Sequence, residues 1–150
     1  MREVVQRVTS ASVVVEGQTV GSIGQGYMVL LGVATGDTEA DLKYICDKIY
    51  NLRIFEDQDG RMNRCLSDVS GEILLISQFT LLGDVRHGRR PGFDGAMRPA
   101  EANAMYEAAV RYFKDNYGLE VQRGVFGADM KVQLVNDGPC TLLLDSTKIL

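Results

Sequence analysis

The spacing of hydrophobic positions changes period several times along the chain, and each change marks an element. The first third reads as strands. Val4, Val5 and Val8, then Val13-Val14-Val15, are β-branched runs suited to a pleated surface. Glu16-Gly17-Gln18 has the composition of a hairpin turn, with Thr19-Val20-Gly21-Ser22-Ile23 returning. Gly24-Gln25-Gly26 turns the chain again. Tyr27 to Val33 is almost continuously apolar, the pattern of a buried strand.

The period then lengthens. Leu42, Ile45, Ile49 and Leu52 fall on one face at helical spacing. Asp37 or Thr38 can cap this helix, and Thr38-x-x-Asp41 has the form of a capping box. Arg53-Ile54-Phe55-Glu56 reads as a short strand, closed by the turn Asp57-Gln58-Asp59-Gly60. A strand is expected over Glu72 to Leu82, apolar at its start and polar at Ser77-Gln78. Gly83 to Gly95 is a loop rich in glycine and arginine. Pro99 suits the first turn of a second helix, whose apolar stripe is Ala102, Met105, Ala109 and Phe113. Gly118 is its expected C-terminal cap. The remainder is again strand: Glu120-Val121-Gln122, then Met130, Val132 and Leu134 alternating with polar residues, then Thr141 to Leu144. Asn136-Asp137-Gly138-Pro139 is read as separating the last two strands. Many strands with short connections and two helices predict an α+β fold. A largely antiparallel sheet curls into a partial β-barrel, with two helices packed on it. Residues 1–150 are expected to form one domain.

Composition narrows the function classes. The 150 residues carry a formal charge of −4, which argues against a strongly basic nucleic-acid binder and against DNA as a partner. His87 is the only histidine, so a His-rich metal site is excluded and His-based triads are disfavoured. Cys46, Cys65 and Cys140 are odd in number and widely spaced, which suggests structural thiols in a reducing compartment. The N-terminal residues lack the apolar core of a secretory signal, and the longest apolar runs fall far short of a membrane span. A soluble, cytoplasmic protein without cofactor or metal is expected.

Familiar chemical motifs are absent. There is no G-x-x-x-x-G-K-[ST] phosphate loop and no G-x-S-x-G elbow. Gly21-Ser22-Ile23-Gly24-Gln25-Gly26 is glycine-rich but joins hairpin strands instead of opening a helix, so it reads as a turn. His87 could act as a base, but no orienting carboxylate can be assigned, and a surface residue in a polycationic loop is the simpler reading. The loop from Arg86 to Arg98 holds four arginines and one aspartate, a local +3, which leaves −7 over the rest of the chain. Arginine with glycine in a loop suits phosphate, as well as a merely solvated face. Ser77-Gln78-Phe79-Thr80 breaks an apolar strand and offers hydroxyl, amide and backbone N–H groups. It is either a polar strand end or the floor of a ligand site. Asn136-Asp137-Gly138-Pro139 is either a tight turn or the place of a cis Gly–Pro bond.

Six ordered segments carry a resemblance that covers essentially the whole chain. They are Val5-Gln6-Arg7-Val8, Asn51-Leu52-Arg53-Ile54-Phe55-Glu56-Asp57, Ser77-Gln78-Phe79-Thr80-Leu81, Gly88-Arg89-Arg90-Pro91, Phe126-Gly127-Ala128-Asp129-Met130 and Asn136-Asp137-Gly138-Pro139. The chain resembles the D-aminoacyl-tRNA deacylases, formerly called D-tyrosyl-tRNA deacylases. The resemblance implies a homodimeric hydrolase that cleaves the ester between a D-amino acid, or glycine, and the 3′-terminal adenosine of tRNA. It implies that Gly138 and Pro139 form a cis motif that enters the partner subunit's site and excludes L-amino acids, with Arg7 orienting it. Ser77, Gln78, Phe79 and Thr80 would line the catalytic pocket. Phe126, Met130 and Thr141 would contact the substrate, and Arg86, Arg89 and Arg90 would be candidates for tRNA phosphate contacts. Two positions depart from the usual pattern: Cys140 follows the Gly-Pro where relatives carry an aliphatic or aromatic residue, and Gly92 follows Arg-Arg-Pro where they carry serine. The rival expectation is a non-catalytic dimeric module that binds RNA or a metabolite through the Arg86–Arg98 loop.

Overall fold

The structure, a computed structural model, describes residues 1–150. Its strands are β1 (Arg2–Val15), β2 (Gln18–Ile23), β3 (Gly26–Gly32), β4 (Phe55–Glu56), β5 (Met62–Arg64), β6 (Glu72–Ser77), β7 (Gln122–Arg123) and β8 (Lys131–Asp145). Its helices are α1 (Glu39–Asn51) and α2 (Pro99–Tyr117).

β1 organises the sheet. Its first half pairs antiparallel with β3, its second half with β2, and β8 runs antiparallel along its opposite edge. β6 then adds parallel to β3, and β7 parallel to β6. The sheet is therefore mixed, with antiparallel pairing around β1. The parallel step follows from the connection between β3 and β6, which crosses over through α1. Curling brings β2 against β6 and β7, and the sheet nearly closes as a barrel with one seam. The α+β fold with a curled sheet and two helices is the one expected from the pattern.

Both faces of the central strands are covered, which explains their unbroken apolar runs. Val5, Tyr27, Val29, Leu31, Ile73 and Leu75 face the helices. Val8, Met28, Leu74 and Ile76 face the barrel interior together with Ala11, Val13 and Ile23. The Asp41 carboxylate at the start of α1 accepts from the backbone N–H of Thr38 at 2.8 Å, the reciprocal half of the expected capping box. In α2 the buried stripe is Ala102, Tyr106, Ala109 and Phe113, with Tyr106 taking the place expected of Met105. The Tyr106 hydroxyl donates to the Leu75 carbonyl at 2.7 Å, which lets a polar tip enter the core. Gly118 caps α2 in the left-handed conformation, at φ 63°.

Three expectations are corrected. The strand expected over Glu72 to Leu82 ends at Ser77, and a single 3-10 turn, Phe79–Leu82, follows. The backbone N–H of Gln78 still donates to Leu31 at 2.8 Å, but the chain then folds over Gly32. A Cβ at Gly32 would stand 2.9 Å from the Gln78 carbonyl oxygen, so the missing side chain makes this turn possible. The flanking strands also shrink, to Phe55–Glu56 and Gln122–Arg123. The third correction concerns the last two strands, which are one strand, β8, carrying a bulge. Asn136 pairs with Val8 and Thr141 with Gln6, so the four residues from 137 to 140 stand opposite Arg7 alone. Excess residues on one strand leave the ladder and project outward.

Candidate active site

A cleft of about 600 Å³ opens where the end of β6, the start of α2 and the segment before β8 meet. That size is typical of small-ligand sites. Ser77, Gln78 and Phe79 form one wall, Phe126, Met130 and Val132 another, and Leu31, Val33, Ala102 and Tyr106 lie against the core. Phe93, Ala96, Met97, Arg98 and Pro99 complete it. Backbone pairing fixes this last wall: Met97 N–H donates to Val33 at 3.0 Å and Thr35 N–H to Gly95 at 2.9 Å.

The lining is rich in aromatic rings. Phe79 and Phe93 meet edge to face at 5.0 Å between centroids, and Tyr106 and Phe126 are tilted at 6.2 Å. Phe79 is 56% exposed, a large apolar face left open to the cleft and solvent. Burial pushes the Tyr106 phenol up to about 12, so it stays a neutral hydrogen-bond donor near neutral pH.

The structure brings together Ser77, Gln78, Phe79, Phe126 and Met130, as the resemblance implies. Thr80 does not line the cleft; its hydroxyl accepts a hydrogen bond from the Gln78 side-chain amide. Thr141 is also elsewhere. Its hydroxyl accepts from Asn136 Nδ2 at 2.8 Å, and Asn136 Oδ1 accepts from Cys140 N–H at 3.1 Å. These bonds tie off the base of the β8 bulge.

Gly138 and Pro139 form the exposed tip of that bulge, joined by a cis peptide bond. Arg7 is buried behind it. Arg7 Nε donates to the Asp137 carbonyl at 3.1 Å, and Nη1 donates to Ile54 at 2.5 Å. A second hollow of about 280 Å³ lies here, lined by Arg7, Arg64, Glu56, Asp137 and Gly138 among others. Within one chain, therefore, the Gly–Pro tip and the Ser77–Phe79 wall belong to different cavities. Cys140, directly after the tip, is buried and packs as a small apolar residue.

The arginine loop is closed at its base by paired backbone bonds between Asp84 and Gly92, at 2.7 and 2.9 Å. Arg86 is spent locally on a two-pronged pair with Asp84, which holds that carboxyl down at about 2. Arg89 and Arg90 are exposed and form no ion pair. His87 is exposed in the same loop. His, Cys, Asp and Glu side chains nowhere gather in a group of three able to hold a metal ion.

Phe93, Met97 and Tyr106 line the cleft without having stood out in the sequence pattern, and Arg98, one arginine of the Arg86–Arg98 loop, lines it too. Phe93 and Met97 sit in a loop whose dominant sequence signal is its charge. Tyr106 adjoins Met105, which fits the same apolar stripe of α2. Helical spacing from Ala102 and Phe113 already allows Tyr106, so the signal was present.

The family described as D-Tyr-tRNA(Tyr) deacylase matches residues 4–145. The chain belongs to this family. It is 59% identical over 148 residues to the D-aminoacyl-tRNA deacylase of Desulfitobacterium hafniense (strain DSM 10664 / DCB-2), with 99% of each chain covered. It is 55% identical over 149 residues to the D-aminoacyl-tRNA deacylase of Thermosipho africanus (strain TCF52B), again with 99% of each covered. A solved structure described as c-Myc DNA Unwinding Element Binding Protein is similar at a TM-score of 0.91 and 41% identity, covering 97% of this chain and 98% of that one. A probable eukaryotic D-amino acid tRNA deacylase shares the fold at a TM-score of 0.81 and 17% identity, covering 95% and 97%. Membership places the chain among the deacylases, hydrolases of aminoacyl-tRNA esters.

Proposed function

We propose that this protein hydrolyses the ester between a D-amino acid and the 3′-terminal adenosine of tRNA, with glycine as a second accepted residue. The observation that carries the reading is the aromatic cleft at Ser77-Gln78-Phe79, in a chain whose residues 4–145 match the deacylase family. Its rings offer stacking surfaces for a base. Its polar groups are few: Ser77 and Gln78 at the end of β6, where the ester would lie, with Arg98 and Asp129 on the other walls.

An aminoacyl ester is already activated, so a strong nucleophile is not required. In this reading the neighbouring ribose 2′-hydroxyl orients or activates water. The backbone N–H of Phe79 stabilises the oxyanion, since the first N–H groups of a helical turn lack partners inside it. Thr80 as nucleophile is the rival. Its position outside the cleft lining and its bond to Gln78 favour the water route. A D-Tyr-tRNA ending in 2′-deoxyadenosine should turn over far more slowly than the normal substrate; undiminished turnover removes the 2′-hydroxyl from the mechanism.

The working unit in this reading is a homodimer acting in the cytoplasm. The exposed Gly138-Pro139 tip of one subunit enters the partner's cleft, where fixed backbone collides with the side chain of an L-amino acid. The separation of tip and cleft within one chain supports completion across an interface. Arg89 and Arg90 are the unpaired cations of the loop and would meet tRNA phosphates; Arg86, held by Asp84, is the weaker candidate.

The test is direct. The protein is incubated with D-Tyr-tRNA, Gly-tRNA and L-Tyr-tRNA, and ester loss is followed. Decay of the D-ester and the glycine ester with survival of the L-ester is the expected result. Binding without decay would establish the non-catalytic module instead.

A further inference from the structure

One exposed charge at the rim of the cleft is paired with no group on this chain. Arg98 lines the cleft and occupies the residue before α2, the N-cap position. That position favours Ser, Thr, Asp or Asn, whose side-chain oxygen accepts a helix N–H. A guanidinium has no acceptor atom, and Arg98 makes no capping bond. Its charge also faces the positive end of a 19-residue helix dipole. No carboxylate lies within 4.0 Å of it. The other charged lining residue, Asp129, is already held by Lys131 Nζ at 3.0 Å. A residue that costs local stability and still presents an unpaired cation to an otherwise mostly apolar cleft is placed for a ligand anion.

We propose that Arg98 binds the phosphodiester on the 5′ side of the terminal adenosine and so positions that nucleoside in the cleft. The inference rests on the reading that an aminoacyl-adenosine end occupies the site. The charges of that ligand decide the assignment. The aminoacyl group contributes a cationic α-amino group, which a guanidinium repels. The linking phosphate is the nearest anion, and a planar fork of donors suits its oxygens. Arg98 is a positioning residue: it fixes the nucleotide and touches no reacting atom. Arg89 and Arg90 lie beyond the Asp84–Gly92 closure and so meet phosphates farther along the strand.

The test uses Arg98→Ser, which restores a good N-cap and therefore keeps α2 intact; its thermal midpoint should not fall below that of the parent. Two dinucleotide probes are titrated against both proteins: cytidylyl-(3′→5′)-adenosine, and the same molecule with a neutral methylphosphonate linkage. The parent should bind the charged probe about tenfold tighter than the neutral one, and Arg98→Ser should bind both alike. On D-Tyr-tRNA the variant should raise KM about tenfold with kcat unchanged. Retained discrimination in Arg98→Ser, absence of discrimination in the parent, or a fall in kcat at constant KM overturns the assignment. Failure of the parent to cleave D-Tyr-tRNA overturns the proposed reaction, while the dinucleotide comparison still decides the phosphate contact.

Discussion

Arg7 Nη2 stands 2.8 Å from the point where a Cβ on Gly138 would sit. Gly138 also has φ 125°, in the region that side chains of L-residues rarely adopt. The tip of the β8 bulge and the arginine behind it therefore fit only because residue 138 has no side chain.

Gly138→Ala should displace Arg7 or the tip, because the added methyl meets a guanidinium held by the Asp137 and Ile54 carbonyls, and φ 125° disfavours any side chain. Stability is expected to fall by about 1–3 kcal/mol. Ester hydrolysis of D-Tyr-tRNA should fall at least tenfold, and rejection of L-Tyr-tRNA should weaken. Thermal unfolding and the two-substrate assay together check this. Full activity with intact stereoselectivity would show that the tip plays no part in the reaction.

Arg7→Lys tests the fork itself. Arg7 Nε and Nη1 serve two carbonyls, those of Asp137 and Ile54, from one rigid plane. A lysine ammonium cannot reproduce that geometry. One buried carbonyl loses its donor, at a cost of about 1–3 kcal/mol. Deacylation should drop along with stability, and Arg7→Lys should not rescue Arg7→Ala.

Phe79→Ala separates function from folding. Phe79 is more than half exposed, so its loss should change unfolding free energy by only about 0.5 kcal/mol. Its ring nevertheless forms one wall of the cleft against Phe93. KM for D-Tyr-tRNA should rise several-fold with little change in melting temperature. A large melting shift with unchanged KM would make Phe79 a packing residue only.

Glu3 gives a pH signature. Its carboxylate is fully buried, neither oxygen has a hydrogen-bond partner, and burial raises its pKa to about 9. The unfolded chain ionises this group near 4.5, so between those values the folded state holds the extra proton. Stability attributable to Glu3 is then fully present below 4.5 and is lost as pH rises toward 9. Glu3→Gln should stabilise the protein at pH 8 by on the order of 2 kcal/mol and give no gain at pH 4. Chemical denaturation at the two pH values checks it; an equal effect at both would exclude ionisation as the cause.

Much of the local structure was legible because it depends on residues near one another in sequence. The hairpin of β1 and β2, the α1 start at Thr38, Pro99 in the first turn of α2 and Gly118 at its end all follow from turn and cap chemistry. The β6 boundary was not legible, because a continuing apolar run over Phe79-Thr80-Leu81-Leu82 looks extended until Gly32, a neighbour only in space, lets the chain fold back. The bulge is hidden in the sequence for a related reason. Asn136 to Pro139 has turn composition, yet β8 continues past it because β1 is long enough to pair with both halves.

Residue order and short-range pattern carry the α+β class, the start of α1 and both ends of α2, the family segments, and the candidates at Ser77-Gln78-Phe79, Phe126 and Met130. Which candidates share a cavity follows from the three-dimensional packing. It joined Phe93, Arg98 and Tyr106 to the cleft, removed Thr80 and Thr141 from its lining, spent Arg86 on Asp84, and set Gly138 in front of Arg7 but apart from the cleft. Apart from the Arg86–Asp84 pair, which lies within the loop, those outcomes depend on contacts between residues tens of positions apart, fixed by sheet register and backbone closure, to which local propensity is blind.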